Sequence, residues 1–203
     1  MAGSELLRPV LASRHAAGFS SFMAMVQFSS TYVAALKDVL AERRVLEAVH
    51  RAASPALKAL LDNPMAYSWW DSTVVFELIG VLVRHLGEAG FKDATFDASH
   101  RRMGPIARPL VRVLLALSGS TPEAIFKRVN MFARMGVRGV AASWTPGKAK
   151  SGQLSFVFPY DVSKEISLIW WGLIREAFSL LQTGRVFSED IQPNTHTFMI
   201  EWD

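Results

Sequence analysis

The sequence predicts an α+β domain: helices packed on a small antiparallel sheet built from two β-hairpins that flank a long helix. Three observations carry this. Up to Gly136 the apolar residues recur at spacings of three and four. From Val137 the period becomes two, on either side of a turn, and it does so again near the end of the chain. Between the two hairpins lies the strongest helical stripe in the chain: Val162, Ile166, Ile169, Trp170, Leu173, Ala177 and Leu180.

The elements follow in order. Residues 5–12 suit a short helix. Residues 18–29 are ambiguous, with Phe19, Phe22, Met23 and Val26 at helical spacing in a serine-rich segment. Residues 31–50 read as one amphipathic helix through Val33, Leu36, Leu40 and Leu46. Ser54-Pro55 is a helix start, with Ser54 as cap. Asp71 caps the next helix, and Trp70 with Val75 makes a hydrophobic staple. Val74, Leu78, Val81, Leu82 and His85 carry that helix until Gly87 and Gly90 end it. The stretch FKDATFDASHRRMG, residues 91–104, is expected to be a connector with at most a helical turn. Pro105 to Leu117 is a helix, and Thr121-Pro122-Glu123 opens another that Gly136 stops.

The first hairpin pairs residues 137–145 with QLSFVF across the turn PGKAKSG. The long helix is capped by Asp161 and ended by Gly184. The second hairpin pairs residues 185–192 with THTFMIEW, in which His196, Phe198, Ile200 and Trp202 share a face. Residues 1–50 are expected to be a helical extension or interface, and residues 51–203 the α+β domain proper.

Composition limits the chemistry. Half of the 203 residues are hydrophobic and 20% are charged, a globular balance. There are no cysteines, which excludes disulfides, thiolate catalysis and cysteine-ligated metals. No apolar run reaches the length of a membrane span, and the start of the chain makes a poor signal peptide, so a cytoplasmic protein is expected. Net charge is +4, unevenly spread. Residues 101–150 hold ten Lys or Arg and one acid, Glu123, whereas residues 151–203 hold three bases and seven acids. The basic block marks either an anionic partner or the pairing surface for the acidic end.

From about residue 50 onward the chain resembles a myxobacterial family of conserved proteins of unknown function. The shared features are Trp69-Trp70, the Ser-Thr-Pro-Glu start at 120–123, the Gly136 break, Trp171-Gly172, the Gly184 stop and the closing Thr-Phe-Met-Ile-Glu-Trp. In layout that family resembles a superfamily whose branches are haem/nitric-oxide sensing domains, vinyl-reductase-type ligand-binding domains and TRAPP trafficking domains. The resemblance implies a homodimeric or partner-bound domain that takes a small hydrophobic ligand, a protein, or both. The haem branch carries a proximal His and a Tyr-x-Ser-x-Arg motif. Here the nearest string is Tyr160-Asp161-Val162-Ser163-Lys164, so no haem, and no other cofactor, is expected. The metal-ligand cysteines of the vinyl-reductase-type branch are absent too.

No histidine pair has metal-ligand spacing, and no nucleophile elbow, P-loop or dinucleotide fingerprint is present. No catalytic residue and no metal site is therefore assigned. Glu77, among apolar neighbours, is the one candidate proton-transfer group, against the alternative that it pairs locally. Trp69, Trp171 and Trp144 are surplus to the core pattern and are the candidate contacts for a partner or ligand. His100, Arg101, Arg102, Arg108 and Arg112 are the candidate anion contacts. Nucleic acid is not expected, because the aromatics within the basic block, Phe126 and Phe132, belong to the apolar pattern. The leading expectation is a non-enzymatic regulatory or adaptor protein that dimerises and binds a protein or small hydrophobic partner. A sensor with an internal hydrophobic pocket is the alternative, and an enzyme on a small anionic substrate, using Arg108 or Arg112 with Glu77, is the third.

Overall fold

The computed structural model of the protein describes residues 25–117, 121–148 and 150–203. The helix expected over residues 5–12 and the start of the 18–29 segment lie outside the described residues. The chain begins with a short strand, β1 (Gln27–Ser29), followed by α1 (Ser30–Glu42), α2 (Leu46–Ala52) and α3 (Pro55–Asp62). A second short strand, β2 (Trp69–Asp71), leads into α4 (Ser72–Leu117). The helix expected over 31–50 is thus two, because Arg44 takes a left-handed φ of 58° between them. Residues 25–50 share the common core: Phe28, Val33, Leu36, Leu40 and Val49 are all buried in it.

The capping chemistry read from the sequence is present and extends across elements. The Ser54 hydroxyl accepts from the Leu57 amide at the start of α3. It also donates to Glu77 of α4, and so does the Ser54 backbone N–H, at 2.7 and 2.8 Å. Glu77 therefore completes the cap of a neighbouring helix, which places this carboxylate in a structural pair. Asp71 accepts from the Thr73 amide at 2.8 Å and caps α4 as expected.

α4 is three helical segments broken at Gly87 (φ 68°, ψ 171°) and Gly104 (φ 58°, ψ 175°). Both glycines sit in a backbone region that only glycine enters without strain, so the breaks are written into the sequence. The connector expected over 91–104 is instead the middle segment of α4, a helix that continues through Gly90. Its buried residues, Phe91, Ala94, Thr95 and Ala98, recur at helical spacing. Three of the four are small, which weakens the hydropathy signal but allows close approach.

That approach is to α7 (Ser167–Leu181), the long helix, entered through a single 3₁₀ turn at Lys164–Ile166. A Cβ on Gly172 would lie 2.5 Å from the Thr95 carbonyl carbon and 2.6 Å from its oxygen. The Thr95 hydroxyl donates to the Leu168 carbonyl at 3.2 Å in the same contact. Contacts between the two helices advance together, from Lys92 with Trp171 to His100 with Glu176, so the middle of α4 and α7 run in the same sense.

The helix expected after Thr121 is two short ones, α5 (Pro122–Phe126) and α6 (Val129–Gly136), divided by a turn at Lys127 and Arg128. β3 (Val137–Arg138) pairs with β1, which pairs on its other side with β2, making a small ribbon. The main sheet is four-stranded and antiparallel, in the order β4 (Ala141–Pro146), β5 (Ser151–Val157), β7 (Thr195–Glu201), β6 (Arg185–Gln192). The two expected hairpins are present and meet along β5 and β7, with Leu154 opposite Phe198 and Phe156 opposite His196. α7 lies on the sheet's inner face, where Trp170 stacks on Phe156 at 3.9 Å between ring centroids. No helix among the described residues is long and apolar enough to cross a membrane.

Gly172→Ala is expected to destabilise the fold by about 1–3 kcal/mol, since its Cβ has no room against Thr95 backbone. Gly80→Ala, also in a helix, meets only the flexible end of Arg84 at 3.6 Å and is expected to be neutral or stabilising. Urea denaturation of the two variants measures the contrast, and equal effects would contradict it.

Candidate functional site

One turn beyond the Gly172–Thr95 contact, the same two helix faces present Glu176 and Ser99. Both line a partly open cavity of about 230 Å³ bordered by the middle of α4, by α5 and α6, by β5 and by α7. The walls are apolar: Phe126 and Val129 on one side, Leu154 and Phe156 from the sheet, Leu173 and Ile174 from α7. Met135, which is 60% exposed, lies at its edge. Among the described residues the polar side chains in the lining are Ser99, Arg102 and Glu176.

Glu176 is the chemical centre of this site. Its side chain is 5% exposed. A carboxylate placed in such surroundings loses its hydration and needs partners. His100 supplies one: its Nδ1–H donates to Glu176 Oε2 at 3.0 Å. The tautomer follows from the other ring nitrogen. Nε2 lies 2.9 Å from Arg108 Nη1, and a guanidinium only donates, so Nε2 accepts and the proton sits on Nδ1. Ser179 donates to the same Oε2 at 3.1 Å. Glu176 Oε1 is different. Arg108 Nε stands 3.0 Å away, an ion pair, but at an angle that makes no hydrogen bond. Oε1, Arg108 Nε and the Ser99 hydroxyl are buried polar atoms without a hydrogen-bond partner, the first two facing each other as an ion pair.

The chain matches no protein-family model and no curated protein. Solved structures do match in fold. An Fe(II) unliganded H-NOX protein mutant from K. algicida superposes with a TM-score of 0.62 at 11% identity, covering 86% of this chain and 96% of that one. An H-NOX protein from S. oneidensis in the Fe(II)NO state gives 0.57 at 10% identity, covering 86% and 99%. A Tt H-NOX variant gives 0.56 at 9% identity, covering 86% and 95%. The chain therefore has an H-NOX-like α+β fold. The narrower myxobacterial resemblance has no counterpart among these comparisons.

The candidate anion contacts separate. His100 and Arg108 converge on Glu176. Arg101 pairs with Glu42 of α1. Arg102 is half-buried, donates to the Met135 carbonyl and lines the cavity. Burial lowers its pKa, partly offset by the nearby Tyr32 hydroxyl. Arg112 is exposed. The three candidate tryptophans do not line the cavity. Trp69 lies in β2 with the Arg138 guanidinium 3.9 Å over its ring. Trp171 donates its indole N–H to Glu189 at 2.8 Å, under Lys92. Trp144 stacks on Phe126, itself a cavity wall, and is half-buried. Sequence reasoning missed Glu176 and Ser99. Glu176 does stand out as the one acid on the apolar stripe of the long helix, three residues after Leu173. No cluster of metal-ligating side chains occurs among the described residues.

His196 is fully buried in β7, 5.1 Å from the Phe158 ring, with both ring nitrogens unpaired. Burial pushes its pKa from 6.5 down to about 4. Above pH 6.5 the imidazole is neutral in both the folded and unfolded chain. As pH falls from 6.5 to about 4, the unfolded chain takes up a proton that the folded chain refuses, so stability declines across that window. His196→Leu is expected to flatten this part of the stability–pH curve and to leave stability at pH 7.5 unchanged or higher. Urea midpoints for both proteins at pH 4.5, 5.5 and 7.5 check it; an undiminished slope in the variant would contradict it.

Proposed function

We propose that the chain is a non-enzymatic sensor domain that takes a small apolar molecule into the cavity between α4 and α7. The observation that carries this is the cavity itself: apolar walls, one partly shielded edge at Met135, and a buried carboxylate held by partners from two helices. Binding sites of this kind are concave, mostly apolar and carry a few convergent polar groups. The likeness in fold to H-NOX proteins, which are haem NO-binding proteins, supports a ligand in the interior. The sensor reading therefore stands ahead of the regulatory or adaptor one, whose candidate tryptophans are each engaged within the chain.

Haem does not fit the described residues. Haem iron needs an axial His, Cys, Met or Tyr. The described lining of the cavity contains no His, Cys or Tyr, only the thioethers of Met103 and Met135. His100, bonded to the lining residue Glu176, has both nitrogens occupied by Glu176 and Arg108. In the string that resembles the haem-gripping motif, the Tyr160 hydroxyl is bonded to Ser72 at 2.8 Å and Lys164 faces Glu88. The volume agrees. An apolar cavity of about 150 Å³ holds one benzene, so 230 Å³ suits a molecule of one or two rings, not a macrocycle.

The purified protein is expected to show no haem absorption and to bind benzene with millimolar or better affinity, measured by NMR titration. Ala133→Phe, which fills the cavity, is expected to abolish that binding without unfolding the chain. Stoichiometric haem in the purified protein, or benzene binding that survives Ala133→Phe, would overturn the reading.

A further inference from the structure

The side of α6 turned away from the core is both apolar and basic. Met131 and Met135, one turn apart, are 54% and 60% exposed. Arg134 is exposed on the same side of the helix, whereas Ala133 and Gly136 on the other side are buried. Lys127 and Arg128 are exposed in the turn before α6, and Arg138 is exposed in β3 directly after it. Four cations thus surround two thioethers. Among the described residues, one of the four is paired with an acid, Lys127 with Glu123 at 2.9 Å. Arg128 donates to the Ala124 carbonyl, and Arg138 lies over the Trp69 ring. One more acid, Asp71, stands across β1 from Arg138, where it caps α4.

The charge calls for an anionic partner, and the area decides which kind. A stable protein interface buries about 800 Å² on each side, which two partly exposed methionines do not supply. A bilayer asks for less. Its anionic headgroups strengthen binding about 5-fold for each nearby Lys or Arg and need no matching of shape. The thioethers enter the boundary between headgroups and acyl chains. Long cationic side chains suit this arrangement, because their stems lie along apolar surface while the charge stays at phosphate depth. Three of the four cations are arginines, whose planar fork matches phosphate oxygens.

We infer that this face of α6 seats the protein on an anionic lipid bilayer, with Met131 and Met135 entering the headgroup region and Lys127, Arg128, Arg134 and Arg138 on the lipid phosphates. The inference does not depend on the cavity holding a ligand.

Co-sedimentation of the full chain with lipid vesicles tests it, using phosphatidylcholine alone and phosphatidylcholine mixed equally with phosphatidylglycerol. Binding is expected to the mixed vesicles only. It is expected to weaken as sodium chloride rises from about 0.05 to 0.5 M, because screening shortens the reach of exposed charge. Arg134→Glu removes a cation and adds an anion, and is expected to lower the affinity about 10-fold or more. Arg185→Glu makes the same change in net charge on β6, at the sheet edge opposite β4, and is expected to bind like wild type. Met131→Gln is expected to lower the affinity several-fold while keeping the salt dependence. Equal binding to both kinds of vesicle, or equal losses in Arg134→Glu and Arg185→Glu, would overturn α6 as the docking face. Unchanged binding by Met131→Gln would overturn the entry of the thioethers. Failure to bind the mixed vesicles at low salt would overturn the lipid assignment and point instead to an acidic protein.

Discussion

The structure depends on one close contact, where Gly172 of α7 meets the backbone of Thr95 in α4. There is no space for a Cβ at that point, so the two helices touch main chain to main chain. Everything functional lies relative to it. On the sheet side, Trp170 stacks on Phe156 and fixes α7 against β5. One turn further along both helices, Ser99 follows Thr95 and Glu176 follows Gly172, and both line the hollow that opens towards α6. Helix packing at such a point is set by sterics, so the separation of Ser99 and Glu176 is inherited from the contact rather than adjusted locally.

Much of this fold is legible in the sequence, and the parts that are not have a common cause. The change of period after Gly136, the two turns and the apolar stripe of α7 are strong local signals, and the sheet and long helix follow them. The caps at Ser54, Asp71 and Thr121 are equally local. The middle of α4 was hidden because its buried face is Ala94, Thr95 and Ala98. Small residues carry little hydropathy but are what a main-chain contact requires. The ribbon of β1, β2 and β3 was hidden because its strands are two or three residues long and pair across distant parts of the chain.

The site was less legible than the fold. Its network joins His100 to Glu176, 76 residues away in sequence, and no spacing rule connects them. The basic character of residues 101–150 did point towards Arg102 and Arg108, and part of that basicity pairs with the acidic C-terminal quarter through Glu176. The surplus of aromatic residues was visible, but its use was not. Trp69 and Trp171 each carry a cation over the ring, an interaction that needs no second molecule. It is Phe126 and Phe156, not the tryptophans, that face the hollow.

The central claim is that the α4–α7 contact leaves an apolar-walled, ligand-sized hollow beside a buried carboxylate. A crystal of the protein pressurised with xenon tests this most directly, because xenon enters apolar cavities without needing a polar partner. The account predicts a xenon atom bounded by Phe156, Leu173 and Ala133, within the space that Glu176 and Ser99 edge. Side chains closing that space, with no xenon there, would contradict it.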